Sequence, residues 1–144
     1  MSGLAAPLML AGSAISAYGK MKAGRAEEKM YDARAAQTLL QGRAEAARYK
    51  QQGADVLSRL NENLATLINR AGATGSGNIQ AIFNANIATA SIDYATAKDN
   101  AILAKEFSID QADQYTQAGD AARTSANISA LGTIMTGAYR YGRL

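Results

Sequence analysis

The chain has 144 residues, 48% of them hydrophobic but only 6% aromatic, with no Trp, Cys or His and a formal net charge of +3. Without Cys or His it has no disulfide framework, no thiolate nucleophile, no Cys/His zinc site and no histidine base. Alanine supplies much of the hydrophobic fraction. At about 25 cal/mol per Å² of buried apolar area, one copy folded alone would be marginal, so the missing burial is expected from further copies or another protein.

The first 19 residues carry no charged side chain. Pro7 suits the first turn of a helix running to about Tyr18. A cleaved secretory signal would need its basic residues before the apolar core, and here the lysines follow it. The segment is also shorter and poorer in Leu and Ile than a membrane-spanning helix. Gly12 and Ser16, four residues apart, suit close helix packing. A charged collar follows, of Lys20, Lys22, Arg25, Glu27, Glu28, Lys29, Asp32 and Arg34. Such a run is either a solvated helix face or a contact for anionic lipid or nucleic acid.

From Tyr31 a stripe recurs at three- and four-residue steps through Ala35, Leu39, Gly42, Ala46, Tyr49, Gly53, Val56, Leu60 and Leu64 to Leu67. This is the helical period, and the stripe carries no charge. The stripe is thin at Gly42, Ala46 and Gly53 and thick at its leucine end. Residues 71–78 then place Gly72, Gly75 and Gly77 within six positions. Each glycine costs a helix interior about 1 kcal/mol relative to Ala, so the stretch predicts a turn capped at Gly72, with Ser76 or Asn78 opening the next helix. A linker between two independent helices is the alternative.

The second arm has its own stripe, Ile79, Phe83, Ile87, Ala90, Tyr94, Ala97, Ala101 and Ala104, thick near the turn and thin beyond it. The two thick ends are expected to meet as a small core. A second apolar face, Ile82, Ile92 and Leu103, predicts more than one helical neighbour. Residues 20–70 carry ten basic and six acidic side chains, and residues 79–122 carry two basic and six acidic. Opposite net charges bias the arms toward pairing, although salt screens the effect. Asp110 and Asp113 share a helical face, but nothing around them forms a calcium loop or metal cage. The final segment, residues 123–144, is uncharged from Thr124 to Tyr139 and ends with Arg140, Tyr141 and Arg143. An aromatic and basic end is typical of a membrane-interface anchor.

No catalytic motif emerges. The glycine stretch lacks the Lys-Ser/Thr of a P-loop, and no strand precedes it. No cleft brings carboxylates together as glycoside hydrolysis needs. The chain is therefore read as a non-enzyme without cofactor or metal.

Three features together resemble the small internal virion proteins, or ejection proteins, of podophages (short-tailed phages). These are the uncharged start Gly12-Ser-Ala-Ile-Ser-Ala-Tyr18-Gly19 before the basic Ala- and Gln-rich helix, the turn Asn69-Arg70-Ala71-Gly72-Ala73-Thr74-Gly75-Ser76-Gly77, and the closing Ala130-Leu131-Gly132-Thr133-Ile134-Met135-Thr136-Gly137-Ala138-Tyr139. The resemblance implies packing inside the capsid near the portal, beside larger internal virion proteins and portal or tail proteins. It further implies release through the tail, to help form a DNA-translocation channel across the host envelope at the outer membrane. No catalytic residues carry over.

The expected fold is all-α: a long helical hairpin with apolar terminal helices, assembled as a homo-oligomer. Its segments are residues 1–19, 20–70, 71–78, 79–122 and 123–144. The residues expected to meet membrane or partner are Leu8, Leu10, Gly12, Ile15, Tyr18, Leu131, Ile134, Met135, Tyr139 and Tyr141. Further readings are a static structural or adaptor protein of a virion or other helical assembly, a holin-type lysis protein, and a nucleic-acid binder. The long soluble arms argue against the holin and the acidic second arm against the nucleic-acid binder.

Overall fold

The structure, a computed structural model, describes the backbone of residues 5–74 and 78–141 and the side chains of residues 11–70 and 78–139. It is all-helical. Helix α1 spans Ala5–Thr74 and helix α2 spans Asn78–Tyr141, and the two pack against each other as a hairpin. Alanine, the best helix former, dominates both. Pro7 falls in the first turn of α1, where its missing N–H removes no helical bond. Threonines inside the helices return their hydroxyls to the backbone: Thr66, Thr96, Thr116, Thr133 and Thr136 each donate to the carbonyl four residues earlier.

The terminal segments are not separate helices. Residues 5–19 continue into α1 without a break, and α2 runs on to Tyr141. Gly72 lies inside α1, which extends through Thr74, rather than capping it. One glycine between Ala71 and Ala73 costs about 1 kcal/mol, too little to stop a helix with good formers on both sides. The expected turn residues Gly75 and Gly77 lie outside the described residues.

The chain divides into two compact units, Met1–Thr38 with Asp110–Leu144, and Leu39–Ile109. In the first, Ser13 faces Gly137, Gly24 faces Ala126 and Tyr31 faces Gly119. In the second, Gly42 faces Ser108, and Gly53 faces Ala97 and the Tyr94 ring. The numbers of Gly24 and Ala126, like those of Gly42 and Ser108, add to 150, so each unit pairs its helices antiparallel in the same register.

The seam is made of small residues. The buried apolar side chains are Ala17, Ala35 and Ala46 on α1 and Ala90, Ala97, Ala101, Ala112 and Ala130 on α2. Gly24, Gly42, Gly53 and Gly119 are buried with them. Ser108, the one buried polar side chain among the described residues, donates its hydroxyl to the Lys105 carbonyl at 2.7 Å and so is satisfied. The seam reaches beyond the stripe read from sequence, back to Ser13 on α1 and on to Gly137 on α2.

The expected core beside the turn is thinner than its residue types suggest. Leu60, Leu64, Leu67, Ile79 and Phe83 stay half-buried, and no large side chain is fully buried among the described residues. Two helices alone leave both flanks of the seam open, so only a methyl-sized group is enclosed. Asn86 takes a seam position, while Ile87 sits outside it and is exposed. An Ala methyl is worth about 0.8 kcal/mol when buried, against roughly 1.5–3 kcal/mol for Leu or Ile.

A Cβ on Gly42 would collide with the side chain of Ser108, and one on Gly24 with that of Ala126. Gly12 and Gly132 have open space around the same point. Gly42→Ala and Gly24→Ala are therefore expected to lower stability by about 1–3 kcal/mol through overpacking. Gly12→Ala and Gly132→Ala should raise it by roughly 0.5–1 kcal/mol through helix propensity. Thermal unfolding followed by far-UV circular dichroism reads both signs.

Candidate functional site

The seam fully encloses only small side chains, and many of the large apolar residues are left exposed. On the first unit's part of α2, Ile128, Leu131, Met135 and Tyr139 recur at three- and four-residue steps, forming one stripe. All four are exposed, Met135 by 71%. Ile134 lies between this stripe and the seam, also exposed. On α1, Ile15 is 73% exposed and Tyr18 is exposed beside it. Gly12 is exposed as well, with nothing near its missing side chain. The side chains of Leu8, Leu10 and Tyr141 lie outside the described residues.

The outward face of α1 changes character at Tyr18. Lys22, Arg25 and Lys29 follow at helical spacing, all exposed, and with Tyr18 and Met21 they line a shallow groove of about 370 Å³. Asp32 lies at the edge of this face. Glu28 points toward the other helix, where it accepts from Arg123 at 3.0 Å. Lys20 leaves the outward face too, donating to Thr133 Oγ1 at 2.8 Å. What remains outward is an apolar and aromatic tip followed by three cations. Arg34 lies over the Tyr31 ring, 5.8 Å from its centroid.

The second unit carries a different surface. A groove of about 520 Å³ runs beside the seam, with Tyr49, Gly53, Tyr94 and Ala101 in its wall and Lys50, Lys98 and Lys105 on its rims. Farther round α2, the second apolar face read from the sequence, Ile82, Ile92 and Leu103, is exposed among the described residues, as is Phe107.

The predicted packing residues Tyr31, Leu39, Gly42, Ala46, Tyr49, Gly53, Val56, Leu60, Leu64 and Leu67 are placed on the α1 seam, buried or half-buried. On α2, Ile79 and Phe83 are half-buried, and Ile87 and Tyr94 are exposed at its margin. Sequence reasoning missed Gly24, Ser108, Gly119 and Ile128. Gly24 and Gly42 stand 18 residues apart, a whole number of helical turns, and that spacing was the available signal. Among the described residues, no three His, Cys, Asp or Glu side chains gather as metal ligands would, and no helix is long and apolar enough to cross a membrane.

No protein-family model matches the chain, and neither a curated protein nor a solved structure matches it.

The outward residues make no contribution to the seam. Replacing Ile128, Leu131 and Met135 together by Ser should leave the stability of the isolated hairpin within about 0.5 kcal/mol per site, as for other exposed positions. Urea denaturation at low protein concentration checks this.

Proposed function

We propose that this chain is a subunit of a helical assembly that carries its apolar terminal faces from protein contacts to a lipid surface. This is the behaviour implied by its resemblance to the ejection proteins of short-tailed phages. In that reading copies pack with one another and with larger internal virion proteins near the portal, leave through the tail, and help line a path for DNA at the host outer membrane. Catalysis, cofactor and metal have no part in it.

The observation that carries the reading is the inversion of side-chain size across the hairpin. Alanine and glycine are enclosed, while Ile15, Tyr18, Ile128, Leu131 and Met135 face out. Exposed apolar surface of this kind marks a contact with protein or membrane. The order of side chains on the outer face of α1, apolar tip and then Lys22, Arg25 and Lys29, suits an interfacial helix whose cations meet anionic headgroups. The lipid contact proposed is therefore one that lies on the bilayer surface or opens a path between copies. A static structural or adaptor role without a membrane step is the second reading, favoured by the absence of a spanning helix among the described residues.

Flotation with vesicles containing phosphatidylglycerol separates the two. The full chain should float with these vesicles, release an entrapped dye, and do so less in high salt. The variant Ile15→Ser, Tyr18→Ser, Leu131→Ser, Met135→Ser should lose about tenfold or more in vesicle affinity at unchanged helix content, because each large apolar contact removed is worth roughly 1.5–3 kcal/mol. Removal of residues 1–19 should abolish the leakage. A chain that assembles but stays below the vesicles at every protein concentration would leave the static reading in place.

A further inference from the structure

The two cations of the second unit's part of α2 each have an acid as next neighbour: Lys98-Asp99 and Lys105-Glu106. The two pairs are seven residues apart, about 10.5 Å along a helix rising 1.5 Å per residue. Adjacent residues point about 100° apart, so the repeat draws two parallel lines on α2. One line, Lys98 and Lys105, rims the groove with Ile102 between its charges. The other, Asp99 and Glu106, lies farther from the seam with Leu103 between its charges. Ile102 is 46% exposed and Leu103 60% exposed.

None of these four charges is matched among the described residues. No opposite charge stands three or four residues from any of them on α2, where intrahelical pairs form. None has an opposite charge within 4 Å from the other helix either. Lys50, across the groove on α1, is likewise without a carboxylate. The groove thus presents cations around an apolar floor, and the neighbouring face presents anions around a leucine, at the same spacing.

We propose that the groove of one copy receives the Asp99, Leu103 and Glu106 face of α2 from a second copy. Leu103 packs on Ile102 and the tyrosine wall, and the carboxylates meet Lys98 and Lys105, with Lys50 closing from the far rim. The proposal deepens the assembly reading above and rests on it. Donor and acceptor surfaces are different patches of one chain, so the contact is head-to-tail. It propagates to a ring where the rotation closes and to a filament where it does not. The complementary charges set register and partner orientation, and the apolar pair supplies most of the area.

Charge reversal in three forms of the full chain tests this by analytical ultracentrifugation. Lys98→Glu with Lys105→Glu gives a copy acidic on both surfaces. Asp99→Lys with Glu106→Lys gives one basic on both. Each alone should raise the concentration at half-assembly by roughly tenfold or more, since facing like charges repel strongly. The two variants mixed in equal amounts should assemble again, and so should the chain carrying all four changes, because both restore opposite charges at every contact. Helix content by circular dichroism shows that each form has folded.

Failure of both the mixture and the fourfold variant to recover overturns the proposal, as does assembly indifferent to every reversal. A groove that instead serves a polyanion would show weaker binding to nucleic acid or anionic vesicles on lysine reversal, stronger binding on acid reversal, and unaltered assembly, which also overturns it. A wild-type chain that stays monomeric at all concentrations refutes the assembly reading itself, whereas a wild-type assembly blind to the reversals refutes this contact alone.

Discussion

The close approach of two helix backbones constrains everything else in this molecule. Gly42 against Ser108 and Gly24 against Ala126 leave no room for a further carbon between the helices. Such contacts fix register more sharply than leucines do, since a leucine can change rotamer and a backbone cannot. A slip of one residue would swing glycine and alanine out of the seam and bring a charged or bulky neighbour in. The same antiparallel register in both units follows from small residues repeated along each helix at its own period.

That close approach limits what the hairpin gains from itself. A buried alanine withdraws one methyl from water, worth about 0.8 kcal/mol, while ordering a residue's backbone costs about 1–2 kcal/mol. The larger apolar side chains, half-buried on the seam or exposed outside it, remain in contact with solvent. Their transfer energy is still available, and only a neighbour outside the hairpin can realise it. A seam held by weak, numerous methyl contacts and an exterior with ungathered isoleucine, leucine and methionine are two sides of one choice of residue size. The ion pair between Arg123 and Glu28 does not alter this balance, because an exposed pair is worth about 0–1 kcal/mol.

The fold was legible because its signals are local. Alanine content and the three-four spacing from Tyr31 to Leu67 announce a helix, and glycines near the midpoint announce a reversal. The extent of each helix was less legible. Gly72 and the changes of polarity near Lys20 and Arg123 read as boundaries, yet each lies within a continuous helix, since a single glycine or a change of polarity does not break one rich in alanine. The depth of burial at the thick ends was not legible, for a geometric reason: periodicity says which face a leucine occupies, not how far two helices suffice to cover it. Gly24, Gly119 and Ser108 were missed because small residues recur throughout the chain, and only the register distinguishes those in the seam from Gly12 or Gly132. Of the candidate surfaces, the terminal apolar stripe showed in the sequence, whereas the charge lines of α2 needed the groove before Lys98 and Asp99 could be seen as belonging to different faces.

The two periods written on α2 have different uses. The seam follows the helix's own 3.6-residue repeat and so can run the length of a straight pair without drifting. A seven-residue repeat on such a helix rotates by about 20° with each step and leaves a straight neighbour within a few repeats. The basic line observes this limit: Ser91 and Ala112, the heptad positions on either side of Lys98 and Lys105, are uncharged. The acidic line meets an isoleucine at Ile92 and runs on through Asp113 to Asp120, turning away from a straight neighbour by about 20° at each step. Lines that end or turn away in this manner cannot hold two straight helices together along their length. In the assembly proposed above they can set where one hairpin crosses another, because the hairpin's own two helices are already paired and only side chains left outside are available for the contact.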